Sequence, residues 1–137
     1  RYVVEDLKEQ LIRHEGLRLT VYDCPAGYKT VGVGRNLEGK GITEEEAMYL
    51  LDNDIKDFQE SLSKELLWFD SLDECRRNIL TNMAFNLGVS GLLKFKNTLA
   101  AIENKNWEEA ASQMLESRWA EQVGSRAVEL SELMKTG

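Results

Sequence analysis

Glu15 is the residue whose type and position point most directly to chemistry. It lies at the end of a predicted helix and immediately before Gly16, where the backbone turns into a predicted β-hairpin. Hydrolysis of a glycosidic bond needs a general acid that stays protonated near neutral pH, and partial removal of a carboxyl group from water favours the protonated form. Glu15 is therefore a candidate general acid, although an isolated glutamate at a helix end is more often a solvated carboxylate.

The elements around Glu15 are a helix and a small hairpin. Apolar residues at helical spacing predict a helix over residues 3–14, and Gly16 is typical of a helix end. Residues 17–22 alternate between apolar and polar side chains, which predicts a strand. Residues 25–27 (Pro-Ala-Gly) predict a turn and residues 30–34 predict the returning strand.

The rest of the chain has helical patterns. Residues 43–46 have the spacing of a capping box and open a long helix to about residue 62, on whose apolar face Asp54 is an unexpected carboxylate. Residues 71–74 repeat the capping-box pattern before another helix, and Gly88 and Gly91 then break the chain. Shorter helices are predicted over residues 97–103, 107–116 and 125–135.

These elements predict a mainly helical α+β fold in one domain over residues 1–137. The predicted parts are a β-hairpin lobe over about residues 15–42, a connecting helix over about residues 43–62, and a helical lobe over about residues 63–137. The helix over residues 3–14 is expected to pack on the helical lobe.

Composition argues against several classes of partner. The formal net charge is −7, whereas a nucleic-acid-binding protein needs a basic face for the phosphate backbone. An acidic polymer such as a cell wall would therefore have to be held by a local cleft. No apolar run of about 18 residues is present, so no membrane span is expected. Residues 1–6 lack the apolar segment of a signal peptide, so no export signal is expected either.

Cys24 and Cys75 are the two cysteines of the chain, and they stand far apart in sequence. With a single histidine and no Cys-x-x-Cys pair, the chain cannot complete a zinc site, so neither a metal nor another cofactor is expected. Two unpaired thiols are the default expectation, and one disulfide is the alternative. A packing role is favoured for Cys75.

The residues around Glu15 resemble the phage T4 lysozyme family. The catalytic signature of that family is Glu, eight residues, Asp or Cys, five residues, and Thr; here Glu15, Cys24 and Thr30 stand at this spacing. The resemblance continues in order along nearly the whole chain, through residues 30–34, 70–73, 76–77, 82–83, 85, 88, 91, 95, 97, 107–111, 117–119, 126–127 and 136–137.

The resemblance implies a lysozyme-like two-lobed fold and a muramidase. Such an enzyme is a glycoside hydrolase that cleaves the β-1,4 bond between N-acetylmuramic acid and N-acetylglucosamine in bacterial peptidoglycan. Glu15 is implied as the general acid, and Thr30 together with Cys24 is implied to position the attacking water, with inversion of configuration.

Cys24 stands where many relatives have Asp. A thiol with an ordinary pKa is only a few per cent thiolate at pH 7, so Cys24 either has a lowered pKa or positions water as a neutral group. Two alternatives stay open: Cys24 is a buried thiol with a packing role, or the neighbouring Asp23 contributes in its place, although successive strand residues point to opposite sides.

The resemblance also implies a substrate cleft. The residues implied to bind substrate are Gly34, Asn82, Phe85, Thr98, Gln122 and Arg126. Arg126 matches the residue that pairs with the catalytic glutamate in the family, and Phe85 could equally belong to the core. Arg35 stands where a relative has a histidine that pairs with an aspartate on the long helix, so we expect an Arg35–Asp54 ion pair.

Three functions compete at this point. The first is an active muramidase; the second is a module that binds peptidoglycan strands on the same fold without efficient cleavage; the third is an acidic helical adaptor for a protein partner. A monomer is expected unless the chain forms part of a larger phage protein. The resemblance places it either in the host cytoplasm, from where it acts on the periplasmic wall, or in a phage particle.

Overall fold

The computed structural model describes residues 5–137. These residues fall into two compact units, one up to Leu50 and the other from Leu51 to Gly137, and the boundary lies within the long helix. The described residues contain eight α-helices and one three-stranded antiparallel sheet. The predicted mainly helical α+β fold is therefore confirmed.

Helix α1 (Leu7–Glu15) opens the first unit. The side chain of Asp6 caps it by accepting a hydrogen bond from the backbone N–H two residues later, at 3.1 Å. Gly16 ends it with a φ of +82°, so Glu15 is the last helical residue. Residues 3 and 4 of the predicted helix lie outside the described residues. The expected packing of this helix on the helical lobe stays a prediction.

The sheet follows as β1 (Arg18–Asp23), β2 (Lys29–Gly32) and β3 (Arg35–Asn36), in that order. Thr30 lies opposite Tyr22 on one side and opposite Asn36 on the other. Thr30 therefore occupies the middle strand. Its side chain is 2% exposed and is the only buried one in residues 5–50.

The returning strand is shorter than predicted, and β3 was not predicted. Gly32 and Gly34 both have a φ near +70°, a region that residues with a Cβ rarely adopt, so the chain turns within residues 32–34. Arg35 then pairs with Val31. A hydrophobic pattern of period two does not distinguish a continuing strand from one that reverses at glycines.

Helix α2 (Glu44–Glu65) begins in the first unit with the predicted capping box. The Glu46 N–H donates to Thr43 Oγ1 at 3.1 Å, and the Thr43 N–H donates to Glu46 Oε1 at 2.9 Å. Three carboxylates in its first turn also interact favourably with the helix dipole. The start of this helix was therefore predicted correctly.

The second unit is helical. Its helices are α3 (Glu74–Leu87), α4 (Val89–Leu93), α5 (Lys96–Glu103), α6 (Trp107–Leu115), α7 (Arg118–Val123) and α8 (Ser125–Thr136). The second predicted capping box is wrong: Ser71 ends a short 3-10 turn, and Asp73 caps α3 by accepting from the Arg76 N–H at 3.1 Å. The short helices α4 and α7 were not predicted, because they are too short for a periodic signal.

One hydrophobic core holds the second unit together. Its largest fully buried side chains are Leu62, Phe69, Ile79, Leu80, Met83, Leu92, Ile102, Met114 and Met134. Helix α6 packs against both α5 and α8, and α3 also contacts α8. No helix within residues 5–137 is long and apolar enough to cross a membrane.

Arg76 is a charged side chain inside this helical unit. It is 8% exposed, and its guanidinium lies 3.8 Å from the centre of the Trp107 ring. Its Nε and Nη2 donate to the Met134 carbonyl at 2.9 and 2.7 Å, and Nη2 also donates to the Lys135 carbonyl at 3.3 Å. Arg76 thus satisfies carbonyl groups that the last turn of α8 leaves free.

Candidate functional site

Glu15 lies against the turn between β2 and β3. The position that a Cβ would take on Gly34 is 3.5 Å from Glu15 Oε2 and 3.8 Å from the carboxyl carbon. The glycine at residue 34 therefore places no side chain of its own over the Glu15 carboxyl group. The Glu15 side chain is itself exposed.

Thr30 is held with its hydroxyl in a defined direction. Its Oγ1 donates to the Tyr28 carbonyl at 2.8 Å, and its side chain is buried in the middle strand. A hydroxyl oxygen that has committed its only proton still has lone pairs to accept a hydrogen bond. Thr30 is thus prepared to accept a hydrogen bond from a further group such as water.

Cys24 begins the tight turn that joins β1 to β2. The Gly27 N–H donates to the Cys24 carbonyl at 2.8 Å, and the Cys24 N–H donates to the Tyr28 carbonyl at 3.0 Å, which closes the hairpin. Pro25 at the second position suits such a turn. The half-buried Cys24 side chain thereby faces the backbone N–H groups of the same turn.

These N–H groups lower the pKa of the Cys24 thiol. The Tyr28 N–H has the largest effect, and partial burial opposes it; the Ala26 and Gly27 N–H groups lower the pKa further. Hydrogen bonds donated to a thiolate stabilise the charged form, as they do for a carboxylate. At a given pH, a larger fraction of Cys24 is therefore thiolate than of an ordinary thiol.

Asp23 is engaged elsewhere. Its carboxylate pairs with the Lys29 ammonium at 2.7 Å, at the end of the ladder where the two residues lie opposite each other. The same contact raises the pKa of Lys29. The Asp23 carboxylate is therefore occupied by Lys29, and the role that the resemblance implies for Cys24 stays a prediction. Both cysteines are free thiols in the structure, which agrees with the default expectation.

Arg35 is held by a different carboxylate from the one predicted. Its Nη1 donates to Glu46 Oε1 at 2.8 Å and to the Gly41 carbonyl at 3.1 Å. The hydrogen bond from Arg35, together with that from the Thr43 N–H, lowers the pKa of Glu46 to about 2. The prediction that Asp54 is the partner of Arg35 was therefore wrong. Glu46 lies in the first turn of the same helix, close to the loop that follows Arg35, and it pairs with Arg35 instead.

Three of the predicted substrate residues come together in the second unit. Asn82, Phe85 and Arg126 line one cavity of about 390 Å³, together with Leu51 and Ile55. Arg126 donates to Asn82 Oδ1 from Nε at 3.0 Å and from Nη2 at 2.7 Å. The pairing of Arg126 with the catalytic glutamate, which the resemblance implies, stays a prediction.

Phe85 is exposed rather than part of the core. Its ring centre is 5.4 Å from that of Phe58, and its accessible face borders the cavity of Asn82 and Arg126. An exposed aromatic ring in a concave site is suited to contact with a ligand. The alternative that Phe85 belongs to the core does not fit this exposure.

Thr98 and Gln122 line a separate groove of about 570 Å³ in the same unit. Thr98 is buried and Gln122 is exposed. Three basic side chains also border this groove: those of Lys94, Lys96 and Arg118. The five predicted substrate residues of this unit are therefore divided between two concave sites.

The sequence analysis missed the contribution of the backbone at the hairpin turn. The Pro25-Ala26-Gly27 motif predicted the turn, but not that its N–H groups face the side chain of residue 24. A residue that opens a tight turn is the signal, because its side chain can reach the N–H groups that follow. Residues 5–137 contain no cluster of three His, Cys, Asp or Glu side chains that could hold a metal ion.

Similarity to known proteins covers almost the whole chain. The sequence model of the family described as phage lysozyme matches residues 12–135. The chain is 33% identical over 159 residues to the pre-baseplate central spike protein Gp5 of Enterobacteria phage T4, and the alignment covers 96% of this chain but 28% of Gp5. It is 29% identical over 164 residues to the "Probable T4-type lysozyme 1" of Dictyostelium discoideum, covering 98% of this chain and 96% of that protein.

These alignments are longer than the 137 residues of the chain, so both relatives have residues inside the aligned span that this chain lacks. The mainly helical α+β architecture is nevertheless that of a lysozyme-like fold. Because the family match spans the hairpin and the helical unit alike, the chain belongs to the phage lysozyme family.

Proposed function

We propose that the chain is an active muramidase, which hydrolyses the β-1,4 bond between N-acetylmuramic acid and N-acetylglucosamine in bacterial peptidoglycan. Membership in the phage lysozyme family and the similarity to a T4-type lysozyme support peptidoglycan as the substrate. The residue assignment rests on the first unit, where Glu15, Cys24 and Thr30 stand on one helix end and one hairpin.

Glu15 is the proposed general acid that protonates the leaving glycosidic oxygen. Its side chain is exposed and its carboxyl group lies against the backbone at Gly34, so a sugar ring can approach it without meeting a side chain at residue 34. A bound glycan would itself exclude water from the carboxyl group. That exclusion favours the protonated acid at the moment it is needed.

Cys24 and Thr30 are proposed to position the attacking water. The Thr30 hydroxyl donates to the Tyr28 carbonyl, so its oxygen can accept one hydrogen of a water molecule. The Cys24 thiolate can accept the other. Water held by both hydrogens presents its lone pair away from them, and the thiolate can take the proton as the water attacks the anomeric carbon. Attack by water on the face opposite the leaving group inverts configuration.

What supports an active enzyme over an inactive module is the Cys24–Gly27 turn beside β2, whose backbone N–H groups lower the pKa of the Cys24 thiol. A carboxylate is fully charged at neutral pH, whereas an ordinary thiol is only a few per cent thiolate there. Because the turn N–H groups lower the pKa of Cys24, we propose that its thiolate supplies the negative charge that Asp supplies in many relatives. Without this stabilisation, the substitution would favour binding without cleavage.

The second unit is proposed to bind further sugar residues. Phe85 offers an apolar ring, and the Asn82–Arg126 pair offers polar groups beside it in the same cavity. Thr98 and Gln122 are proposed to contact substrate from the neighbouring groove. Carbohydrate sites combine aromatic faces with directed hydrogen-bonding groups in this way.

The proposed place of action is the bacterial cell wall, reached either as a free enzyme or as part of a phage particle. The similarity to Gp5, a central spike protein of which the chain covers 28%, supports the particle. The near-complete coverage of a T4-type lysozyme supports the free enzyme.

The test is cleavage of purified peptidoglycan, with the new reducing ends reduced and identified as muramic acid or glucosamine. The wild-type chain should release muramic acid ends, and Glu15→Gln should release fewer by at least a hundredfold, a typical contribution of a general acid. Glu9→Gln, which changes another exposed glutamate of α1, is the matched control and should keep wild-type activity. Glucosamine ends, or full activity in Glu15→Gln, would contradict the proposal.

Binding without cleavage is the alternative that the same preparations decide. If the wild-type chain sediments with peptidoglycan but releases no reducing ends at any pH between 4 and 9, the binding-module function replaces the muramidase. Cys24→Ser and Cys75→Ser form a second matched pair: loss of activity in the first alone assigns the thiol to the chemistry.

A further inference from the structure

Arg35 connects the sheet to the start of α2 within the first unit. It opens β3, one residue after Gly34, and its side chain is half-buried. Its Nη1 donates both to Glu46 Oε1 and to the Gly41 carbonyl. One guanidinium nitrogen therefore holds a helix-capping carboxylate and a loop carbonyl at once.

Glu46 Oε1 accepts two hydrogen bonds, and each comes from a different segment. The Thr43 N–H donates at 2.9 Å as part of the capping box, and Arg35 donates at 2.8 Å from β3. A carboxylate that serves as a helix cap has a direction set by that helix. The ion pair thus orients Arg35 relative to α2.

The loop that joins β3 to α2 is itself closely hydrogen-bonded. Asn36 Oδ1 accepts from the N–H groups of Glu38 and Gly39 at 3.0 and 2.9 Å. The Asn36 carbonyl accepts from the Lys40 and Gly41 N–H groups, both at 3.1 Å. These hydrogen bonds restrain the conformation of the loop between β3 and α2.

The two ends of β3 lie close to two proposed catalytic residues, Glu15 and Thr30. Gly34, which precedes Arg35, lies against the Glu15 carboxyl group, and Asn36, which follows it, lies opposite Thr30. A displacement of Arg35 would consequently move the backbone beside the acid and the strand beside the water-positioning residue. No other side chain described in residues 5–50 joins β3 to α2 by an ion pair.

We propose that the Arg35–Glu46 ion pair is a positioning device for catalysis: it fixes the Gly34 turn against Glu15 and the β3 backbone beside Thr30. The proposal rests on the proposed muramidase function and adds to it two residues that touch no substrate. A planar guanidinium with several donors can serve the carboxylate and the carbonyl together, whereas a lysine ammonium is a single mobile point charge.

The kinetic test compares Arg35→Gln, Arg35→Lys and Glu46→Gln with the matched control Glu45→Gln, which removes the neighbouring exposed carboxylate. Arg35→Gln should lower kcat on soluble glycan strands about tenfold while KM changes less than about twofold, since misplacement of a reacting group by about 1 Å costs up to a hundredfold. Arg35→Lys should lie between it and wild type. Glu46→Gln should lower kcat by a smaller factor, because the amide oxygen still accepts.

The double variant Arg35→Gln/Glu46→Gln completes the test. If the two residues act as one device, the double variant is no slower than Arg35→Gln alone, because coupled residues are not additive. The proposal would be overturned if the loss of kcat in the double variant equals the product of the two single losses. It would also be overturned by an unchanged kcat in Arg35→Gln, or by an equal loss of kcat in Glu45→Gln. So would a loss confined to KM.

A structural readout separates failure of this proposal from failure of the proposed function. Glu15→Gln should shift the NMR amide resonance of Gly34 in the wild-type background, and clearly less in the Arg35→Gln background, if the ion pair keeps the two groups together. If wild type does not cleave peptidoglycan but this difference is found, the positioning stands and the muramidase fails. If the Gly34 shift is the same in both backgrounds, the positioning role is wrong.

Discussion

Replacing Gly34 with alanine separates the backbone cost of the β2–β3 turn from its contact with Glu15. Gly34 has a φ of +71°, and Gly32 in the same turn has a φ of +70°. A residue with a Cβ pays about 1–2 kcal/mol in this region. An added Cβ on Gly34 would lie 3.5 Å from Glu15 Oε2, which is ordinary contact, whereas a Cβ on Gly32 would meet nothing within 4 Å.

Gly34→Ala and Gly32→Ala should therefore lose similar stability, about 1–2 kcal/mol each, but differ in activity. The new methyl group would occupy the space beside the acid where we propose that the sugar lies, so Gly34→Ala should lose at least about tenfold more kcat/KM than Gly32→Ala. That ratio corresponds to about 1.4 kcal/mol of transition-state stabilisation.

Both quantities can be measured on the same preparations, by urea unfolding and by release of reducing ends from soluble glycan strands. Activities are compared at a temperature where each variant is more than 95% folded, so that stability does not enter the rate. Equal kcat/KM values for the two variants would refute the placement of the sugar against Gly34. A much larger loss of stability in Gly34→Ala would show that the methyl group clashes instead of covering the acid.

Three further predictions follow from the geometry. The Cys24 thiol should ionise at a pH below the ordinary thiol pKa of about 8.5, because the Tyr28 N–H lowers its pKa; thiolate absorbance against pH should show this transition in Cys75→Ser, and Cys24→Ser should lack it. Arg76→Met should destabilise the helical unit by about 3 kcal/mol in urea unfolding, because it leaves the last carbonyls of α8 unpaired, whereas the exposed Lys135→Met should change stability by less than about 0.5 kcal/mol. The ion pair with Arg35 lowers the pKa of Glu46 to about 2. The ion pair therefore stabilises the fold fully above the ordinary glutamate pKa of about 4.3, and this stabilisation is lost as the pH falls towards 2. Glu46→Gln should reduce the dependence of unfolding free energy on pH in this range, and an unchanged dependence would contradict the ion pair.

Much of the fold could be predicted because its signals are local. The capping box at Thr43 and Glu46 uses atoms three residues apart, and it starts α2 where the sequence placed it. Gly16 ends α1 through its own backbone conformation. The spacing of Glu15, Cys24 and Thr30 is likewise a property of the chain alone, and it led to the family before any contact was known.

The cap of α3 and the end of β2 could not be predicted, because in each case the sequence allows more than one local structure. Ser71 and Asp73 both offer a capping oxygen, and the 3-10 turn that ends at Ser71 leaves Asp73 as the cap of α3. Likewise, nothing in the pattern of residues 30–34 showed that the chain reverses at two glycines and returns as β3.

The sequence by itself determined which residues are available for chemistry: an acid at a helix end, and a thiol and a hydroxyl on one hairpin. Only the tertiary structure decided their surroundings. It placed Glu15 against the backbone of Gly34, directed the N–H groups of a turn at Cys24, and paired Arg35 with Glu46 instead of Asp54. The physical reason is that these contacts join segments distant along the chain or use backbone groups that every residue carries, so their partners are selected by the path of the backbone and not by residue type.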